Sequence, residues 1–333
     1  MVFTQKAYNN KLTLVETQIA IKIVKDTFEK KLSENLNLIR VSAPLFVDPI
    51  TGLNDNLNGI EKPVSFNLTK YDKKVEIVQS LAKWKRNALK EYGFTNGFGL
   101  YTDMNAIRPD EEIDNIHSVY VDQWDWERVI SSNDRNIDFL KSIVILIVKS
   151  LSQTNDLLKK SFPILNFEVN EDVYFVDSQE LLDLYPNMNP KERENEITKI
   201  KKTVFITRIG GKLSNGFPHD KRSPDYDDWN LNGDILIWSD ALNMAVEISS
   251  MGIRVDDKSL MEQLILTNAT DRLSLKYHKD IIESTLPLTI GGGIGQSRVC
   301  LLLLEKIHIG EVQSSYWPEE DKKLLEKMGA YIL

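Results

Sequence analysis

A chain of 333 residues with 42% hydrophobic content is long enough to bury a substantial core, which excludes a disordered polymer. Its formal charge of −8 and pI near 5.3 leave no basic stripe, which excludes stable nucleic-acid binding. A single cysteine, Cys300, excludes an internal disulfide, and four histidines at 117, 219, 278 and 308 lack zinc-site spacing. The first residues, MVFTQKAYNNKLT, hold no apolar signal region, and the apolar runs 143–148 and 299–304 are too short to cross a bilayer. A cytoplasmic protein is expected. No repeat or Pro/Ser linker divides the chain, so one domain over 1–333 is expected.

In chain order, Ile21, Val24, Phe28, Leu32 and Leu36 fall at helical spacing and predict an amphipathic helix over about residues 10–36. Ile39, Val41 and Ala43 alternate with Arg40 and Ser42, predicting a half-buried strand stopped by Pro44. A helix over about 76–92 would carry Val78, Leu81, Ala88 and Tyr92 on one face and end at Gly93. Strands follow near 100–107 and 117–126, then a long helix near 134–160 and a mixed stretch. Further strands are expected at 204–209, 234–238 and 244–249, then two helices, a strand at 288–292, a tight glycine turn and a helix from Gln296. Strands follow one another without regular βα alternation, which predicts an α+β fold with an antiparallel sheet flanked by helices.

The stretch TIGGGIGQSR, residues 289–298, places four glycines in five residues. It is no dinucleotide fingerprint, since Arg298 replaces the third glycine and only 35 residues follow. Nor is GGKL at 210–213 a P-loop, because Leu213 follows the lysine and no glycine stands five residues earlier. Arg298 would lie in a first helical turn, beside free N–H groups able to hold phosphate. Lys85 falls within the apolar stripe of its helix, whereas Lys83, Arg86 and Lys90 cluster on the face expected to be solvated. In HSVYVDQWDWE the strand period puts Gln123, Asp125 and Glu127 on one face and Asp122, Trp124 and Trp126 on the other. Arg108 and Glu111 follow a strand. Asp225, Asp227, Asp228 and Asp234 crowd one segment, and Glu247, Ser249, Ser250 and Arg254 lie near a strand end. Each could be a turn residue or a surface ion pair; together they suggest a site for a charged metabolite, a polyphosphate and a divalent metal.

The helix and strand ending at Pro44, the strands carrying Arg108, Glu111 and HSVYVDQWDWE, and GGGIGQSR resemble, in order, the three motifs of class II aminoacyl-tRNA synthetase catalytic domains. Further stretches, DNLNGIEKPV, SLAKWKR, GLYTDMNAIRPDE, SQELLDLYP, RIGGKLS, PDYDDWNLNGDILIW and EISSMGIRVD, extend the resemblance over essentially the whole chain to ammonia-dependent asparagine synthetases (aspartate–ammonia ligases). A short link between DYDDW and LNGD departs from the longer loop of some members. The resemblance implies an antiparallel class II synthetase-like domain of six to eight strands, a homodimer formed through the first motif, and no anticodon-binding domain.

It further implies ATP as co-substrate with Mg²⁺. Arg108, Glu111 and Arg298 would contact the nucleotide, and Glu247 with Asp234 and Ser250 would hold the metal. Asp55, Lys85, Gln123 and Asp125 would fix aspartate, Asp227, Ser249, Ser250 and Arg254 would complete its site, and Asp55, Arg108 and Gln123 would form the catalytic set. The implied chemistry joins the β-carboxylate of aspartate to the α-phosphorus of ATP, after which ammonia displaces AMP. Residue 2 is valine and Cys300 sits in an apolar run, so no cysteine is placed to release ammonia from glutamine. Asp227 and Asp125 are the candidate acceptors of a proton from ammonium. Two rivals share the motifs: a stand-alone tRNA synthetase core, disfavoured by the acidic balance, and a non-catalytic sensor, which should lack Arg108, Glu247 or Arg298.

Overall fold

The structure is a computed structural model describing residues 8–55 and 62–333. The chain enters through α1 (Leu14–Leu36), opened by a capping box. Thr13 Oγ1 accepts from the Glu16 amide at 3.3 Å, and the Glu16 carboxylate accepts from the Thr13 amide at 2.8 Å. Ala20, Val24, Phe28, Leu32 and Leu36 are all buried, a four-residue spacing that turns one stripe inward. Next come β1 (Leu38–Arg40), β2 (Phe46–Val47), β3 (Ser65–Leu68), β4 (Lys73–Ile77), α2 (Ala82–Glu91), β5 (Gly99–Ile107), β6 (Tyr120–Val129) and α3 (Ile137–Ser161). The chain continues through β7 (Tyr174–Asp177), α4 (Ser178–Leu184), α5 (Pro190–Lys201), β8 (Thr203–Thr207), β9 (Asp227–Ser239) and β10 (Met244–Arg254). It closes with α6 (Asp257–Leu266), α7 (Lys276–Ile282), β11 (Thr289–Gly295), α8 (Gln296–Leu303) and α9 (Glu319–Lys327).

Eight strands form one sheet in the order β1-β5-β6-β11-β10-β9-β8-β7, and β2-β4-β3 form a separate small sheet. One face of the large sheet packs on α1, α3 and α8. There Trp124 and Trp126 are fully buried, and Trp124 lies 4.6 Å from the Phe28 ring. The other face carries α2 over β5, β6 and β11, and α5 over β8, β9 and β10. Strand alternation thus sends the tryptophans of HSVYVDQWDWE into the core and leaves Gln123, Asp125 and Glu127 beneath α2.

Several expectations change. The sheet is mixed rather than purely antiparallel, because the outer pairs β1/β5 and β7/β8 run parallel. Both parallel pairs are joined by long excursions, through the small sheet and α2 in one case and through α4 and α5 in the other. The first strand is shifted by one residue: Leu38 is buried and Ile39 is 59% exposed. Residues 73–77 are the strand β4, so α2 starts at Ala82 rather than near 76. Asp227–Ser239 is one continuous strand, so the short link after DYDDW is extended chain. No turn interrupts the glycines: β11 runs through Gly295, and none of its glycines has positive φ.

Of the face of α2 expected to be solvated, Lys90 is exposed but Lys83 and Arg86 are buried. Lys83 is 3% exposed and pairs with the fully buried Asp225 at 2.8 Å, while Arg86 donates to Pro287 O at 2.9 Å and Val255 O at 2.7 Å. Tyr92, expected on the apolar face, is exposed. Lys83→Ala would take one of two paired cations from a buried carboxylate that keeps Arg272, so it is expected to cost about 2 kcal/mol of unfolding free energy. Lys90→Ala, at an exposed position, should stay within about 0.5 kcal/mol. Urea denaturation of the two variants checks this, and equal midpoints would contradict it.

Candidate active site

Beneath α2 the large sheet carries a cavity of about 420 Å³. Glycine makes its floor. Gly291 pairs with Glu127 and Gly293 with Asp125 across β11 and β6, so a side chain at either glycine would project into the cavity among those of β6. A Cβ on Gly291 would sit 2.0 Å from Glu127 Oε2, and one on Gly293 would sit 2.3 Å from Gln123 Oε1. Gly291 and Gly293 therefore make room for β6 side chains, whereas a Cβ on Gly292 would sit 2.6 Å from Met251 Cβ.

β10 supplies the facing wall. A bulge between Glu247 and Ser249 puts Glu247 opposite Leu236 and Ser250 opposite Asp234. Leu236 and Asp234 are two residues apart on β9 and share a face, so Glu247 and Ser250 share it too, despite their odd spacing. Of the thirteen site residues expected from the sequence, twelve line this cavity: Asp55, Lys85, Arg108, Glu111, Gln123, Asp125, Asp227, Glu247, Ser249, Ser250, Arg254 and Arg298. Asp234 shares the Ser250 face but does not line the cavity; it is ion-paired with Arg222, which does. Of the stretch DNLNGIEKPV, residues 56–61 lie outside the described residues.

At one end Lys85, 1% exposed, donates to Asp125 Oδ1 and to Gly292 O at 2.9 Å. Burial pulls its ammonium below the usual lysine range, opposed by the Asp125 carboxylate. Asp125 Oδ2 is buried without a hydrogen-bond partner, as is Ser249 Oγ, although buried polar atoms are as a rule paired. Alongside, Arg254 donates through Nε and Nη2 to Glu127, at 3.0 and 2.7 Å, and through Nη1 to Asp227. Burial works against the Glu127 charge, but Arg254 holds this carboxyl below the usual range. Asp227 is pushed up by burial, with Arg254 opposing.

The other end is cationic. Arg108, just beyond β5, donates to Gln79 O at 3.3 Å, makes no ion pair among the described residues, and leaves its Nε unpartnered. Arg298 donates to Glu247 O at 2.9 Å and lies 3.8 Å from the Glu247 carboxylate. Burial raises and Arg298 lowers the Glu247 carboxyl, which ends below its usual value. Asp234 is raised to about 7, chiefly by burial. Among the described residues no three metal-ligating side chains converge. The expected free N–H groups at the start of α8 are partly taken: the Ser297 amide donates to Asp122 at 3.1 Å.

Residues 15–329 match the family described as aspartate-ammonia ligase. The chain belongs to that family. It is 58% identical to the aspartate–ammonia ligase of Clostridium tetani over 98% of this chain and 96% of that protein. It is 54% identical to that of Fusobacterium nucleatum over 98% of this chain and all of that protein. Among solved structures it resembles asparaginyl-tRNA synthetase from Pyrococcus horikoshii, complexed with asparaginyl-adenylate, with a TM-score of 0.66 and 16% identity over 91% of this chain and 70% of that one. That likeness is one of fold, and the ligase family assignment rests on the sequence matches.

Sequence reasoning gave no role to Glu127, Arg222, Tyr226 or Asp225 at this ligase's site. Glu127 was placed on the correct face by strand alternation, but its pairing with Arg254, 127 residues away, left no local signal. Arg222 and Tyr226 line the cavity from the segment before β9. Asp225 anchors that segment: it accepts from Lys83 and Arg272 at 2.8 Å, His278 at 2.9 Å and Ser223 at 2.7 Å, joining α2, α7 and the cavity wall. Cys300 is fully buried and its thiol is pushed up to about 12 by burial, which makes it a core residue.

Proposed function

We propose that the chain amidates L-aspartate with ammonia at the expense of ATP, through a β-aspartyl-adenylate, in one catalytic unit. The observation that carries this reading is the polarity of the cavity. Two arginines, Arg108 and Arg298, face one end, and a lysine–carboxylate set stands at the other. Asp125 Oδ2 would accept the α-ammonium of aspartate. Lys85, with two of its three N–H bonds engaged, would give the third to a substrate carboxylate. Gln123 and Asp55 would close the same subsite, Ser249, Ser250 and Arg254 would line it, and Glu111 would meet the nucleotide.

The aspartate β-carboxylate oxygen would form the bond to the α-phosphorus as the bond to pyrophosphate breaks. Arg108 and Arg298 would oppose the negative charge that gathers there. Ammonia would then attack the acyl carbon and AMP would leave with the acyl C–O electron pair. Both candidate acceptors of the ammonium proton are ion-paired, Asp227 with Arg254 and Asp125 with Lys85, and burial lifts the Asp227 carboxyl. Mg²⁺ binds one or two carboxylates plus phosphate oxygens and needs no protein cage. Glu247 on the cavity wall, with Asp234 on the same face, fits that donor set, and the ion would supply charge neutralisation between phosphates. Dependence on ATP fits a cytoplasmic location.

Stoichiometric AMP and pyrophosphate are the expected products with aspartate, ATP, Mg²⁺ and ammonium. Formation of ADP and phosphate would remove the adenylate route. A symmetric homodimer is expected from the open edge of β1, whose Ile39 is 59% exposed, and from the C2 pairing common to such chains. Light scattering checks it, and a monomer mass at every concentration would contradict it.

A further inference from the structure

Asp122 stands within the strand that supplies Gln123 and Asp125; the pleat alternates it away from them, it borders the arginine end of the cavity together with Ser297 and Gln313, and none of the chemistry above uses it. Its carboxylate, 6% exposed, is surrounded by donors. The Ser297 amide reaches Oδ1 at 3.1 Å and the Ser297 hydroxyl reaches Oδ2 at 2.8 Å. Gln313 Nε2 donates to Oδ1 at 3.2 Å and Lys25 Nζ to Oδ2 at 3.2 Å. Gln313 also donates to Ser297 Oγ at 3.1 Å, closing the network.

The position of this network matters more than its size. Ser297 is the second residue of α8 and Arg298 the third. A carboxylate on the Ser297 amide sits at the positive end of the helix and occupies a donor otherwise open to a phosphate. It also pins the backbone from which the Arg298 side chain leaves. An arginine side chain carries considerable rotamer entropy, so a guanidinium that must meet an anion in one place gains from a root that does not move. The far side of the network is Lys25 of α1, which ties that helix to the arginine end of the cavity.

We propose that Asp122 is a positioning residue for Arg298: it occupies the start of α8 and fixes the arginine, so that the nucleotide phosphates are gripped by side chains rather than by the helix end. This rests on the reading of the arginine end as the nucleotide subsite. Asp122 acts on ATP binding through Arg298 and leaves the aspartate end untouched.

Steady-state kinetics with ATP and aspartate varied separately test it on the full chain. Asp122→Ala is expected to raise the KM for ATP at least tenfold and to leave the KM for aspartate within twofold. The double variant Asp122→Ala/Arg298→Ala should be no worse for ATP than Arg298→Ala alone, since a residue acting through another adds nothing once that one is gone. Asp122→Asn keeps an acceptor for the Ser297 amide but turns an amide donor toward Lys25. Its ATP KM should rise about fivefold and fall back when Lys25→Met is added, and this pair decides the matter if Asp122→Ala does not fold. Multiplying effects in the double variant, equal shifts in both KM values, or no relief by Lys25→Met would overturn the proposal while the nucleotide reading stands. An unchanged ATP KM in Arg298→Ala would remove the nucleotide reading itself, and this proposal with it.

Discussion

Lys85→Ala is expected to lower kcat/KM for aspartate about 100-fold or more and, at the same time, to lower the unfolding free energy by about 3–5 kcal/mol. The first effect follows from the place of Lys85 at the carboxylate end of the cavity. The second follows from its partner. A lone lysine in an apolar stripe would be harmless to replace by alanine, but Lys85 pairs with Asp125, and both side chains are almost fully buried. Alanine leaves the Asp125 carboxylate without a counter-charge and frees the Gly292 carbonyl. Adding Asp125→Asn should recover much of the stability, since it removes the stranded charge, and none of the activity. Chemical denaturation and aspartate saturation read the two effects separately. Normal aspartate saturation in a folded Lys85→Ala protein would sink the substrate assignment.

Arg254→Ala should be at least as damaging, because one guanidinium serves two carboxylates that are 0% and 3% exposed, Glu127 and Asp227. Activity is expected to fall about 1,000-fold or more, as both walls of the aspartate subsite lose their alignment. The pH dependence of stability offers a sharper check. In the native protein the Glu127 carboxyl lies below its ordinary value of 4.5, so its contribution is present above that pH and is lost as pH falls through the folded value. Without Arg254, burial, opposed only by Lys85 and the Thr289 hydroxyl, would lift the same carboxyl above its unfolded value. Stability would then be lost as pH rises above about 4.5. Unfolding midpoints between pH 4 and 8 should therefore show the variant gaining relative stability toward acid. A constant difference between the two proteins across that range would show that Glu127 is not held by Arg254.

Much of this site could be read from single elements. The two-residue period of HSVYVDQWDWE sorted Trp124 and Trp126 to the core and Gln123, Asp125 and Glu127 to the site, because alternation is a property of an extended chain whatever surrounds it. The stripe on α1 was legible for the same reason at helical period. Lys85 stood out because a cation in an apolar stripe needs a partner, though the stripe does not say which.

What covers an element is another matter. Lys83 and Arg86 lie on a face of α2 that is polar by composition, and a polar face is solvated only if nothing polar packs on it. Here Asp225, Val255 and Pro287, all more than 140 residues away in sequence, supply the acceptors. The two parallel pairs of the sheet depend on how long connections return. The shared face of Glu247 and Ser250 depends on one extra residue in β10 that no period reveals.

The amino-acid sequence by itself determined the family, the α+β class, the inward faces of α1 and β6, and which residue types could gather around an anion and an amino acid, because each of these follows from local spacing or from motif identity. Only the tertiary structure decided that β11 runs straight through its glycines to make room for Glu127 and Gln123, that Asp234 turns to Arg222, and that Asp122 takes the start of α8. Those outcomes depend on charges and volumes contributed by distant segments, and a buried charge is settled by whichever partner the fold brings within reach.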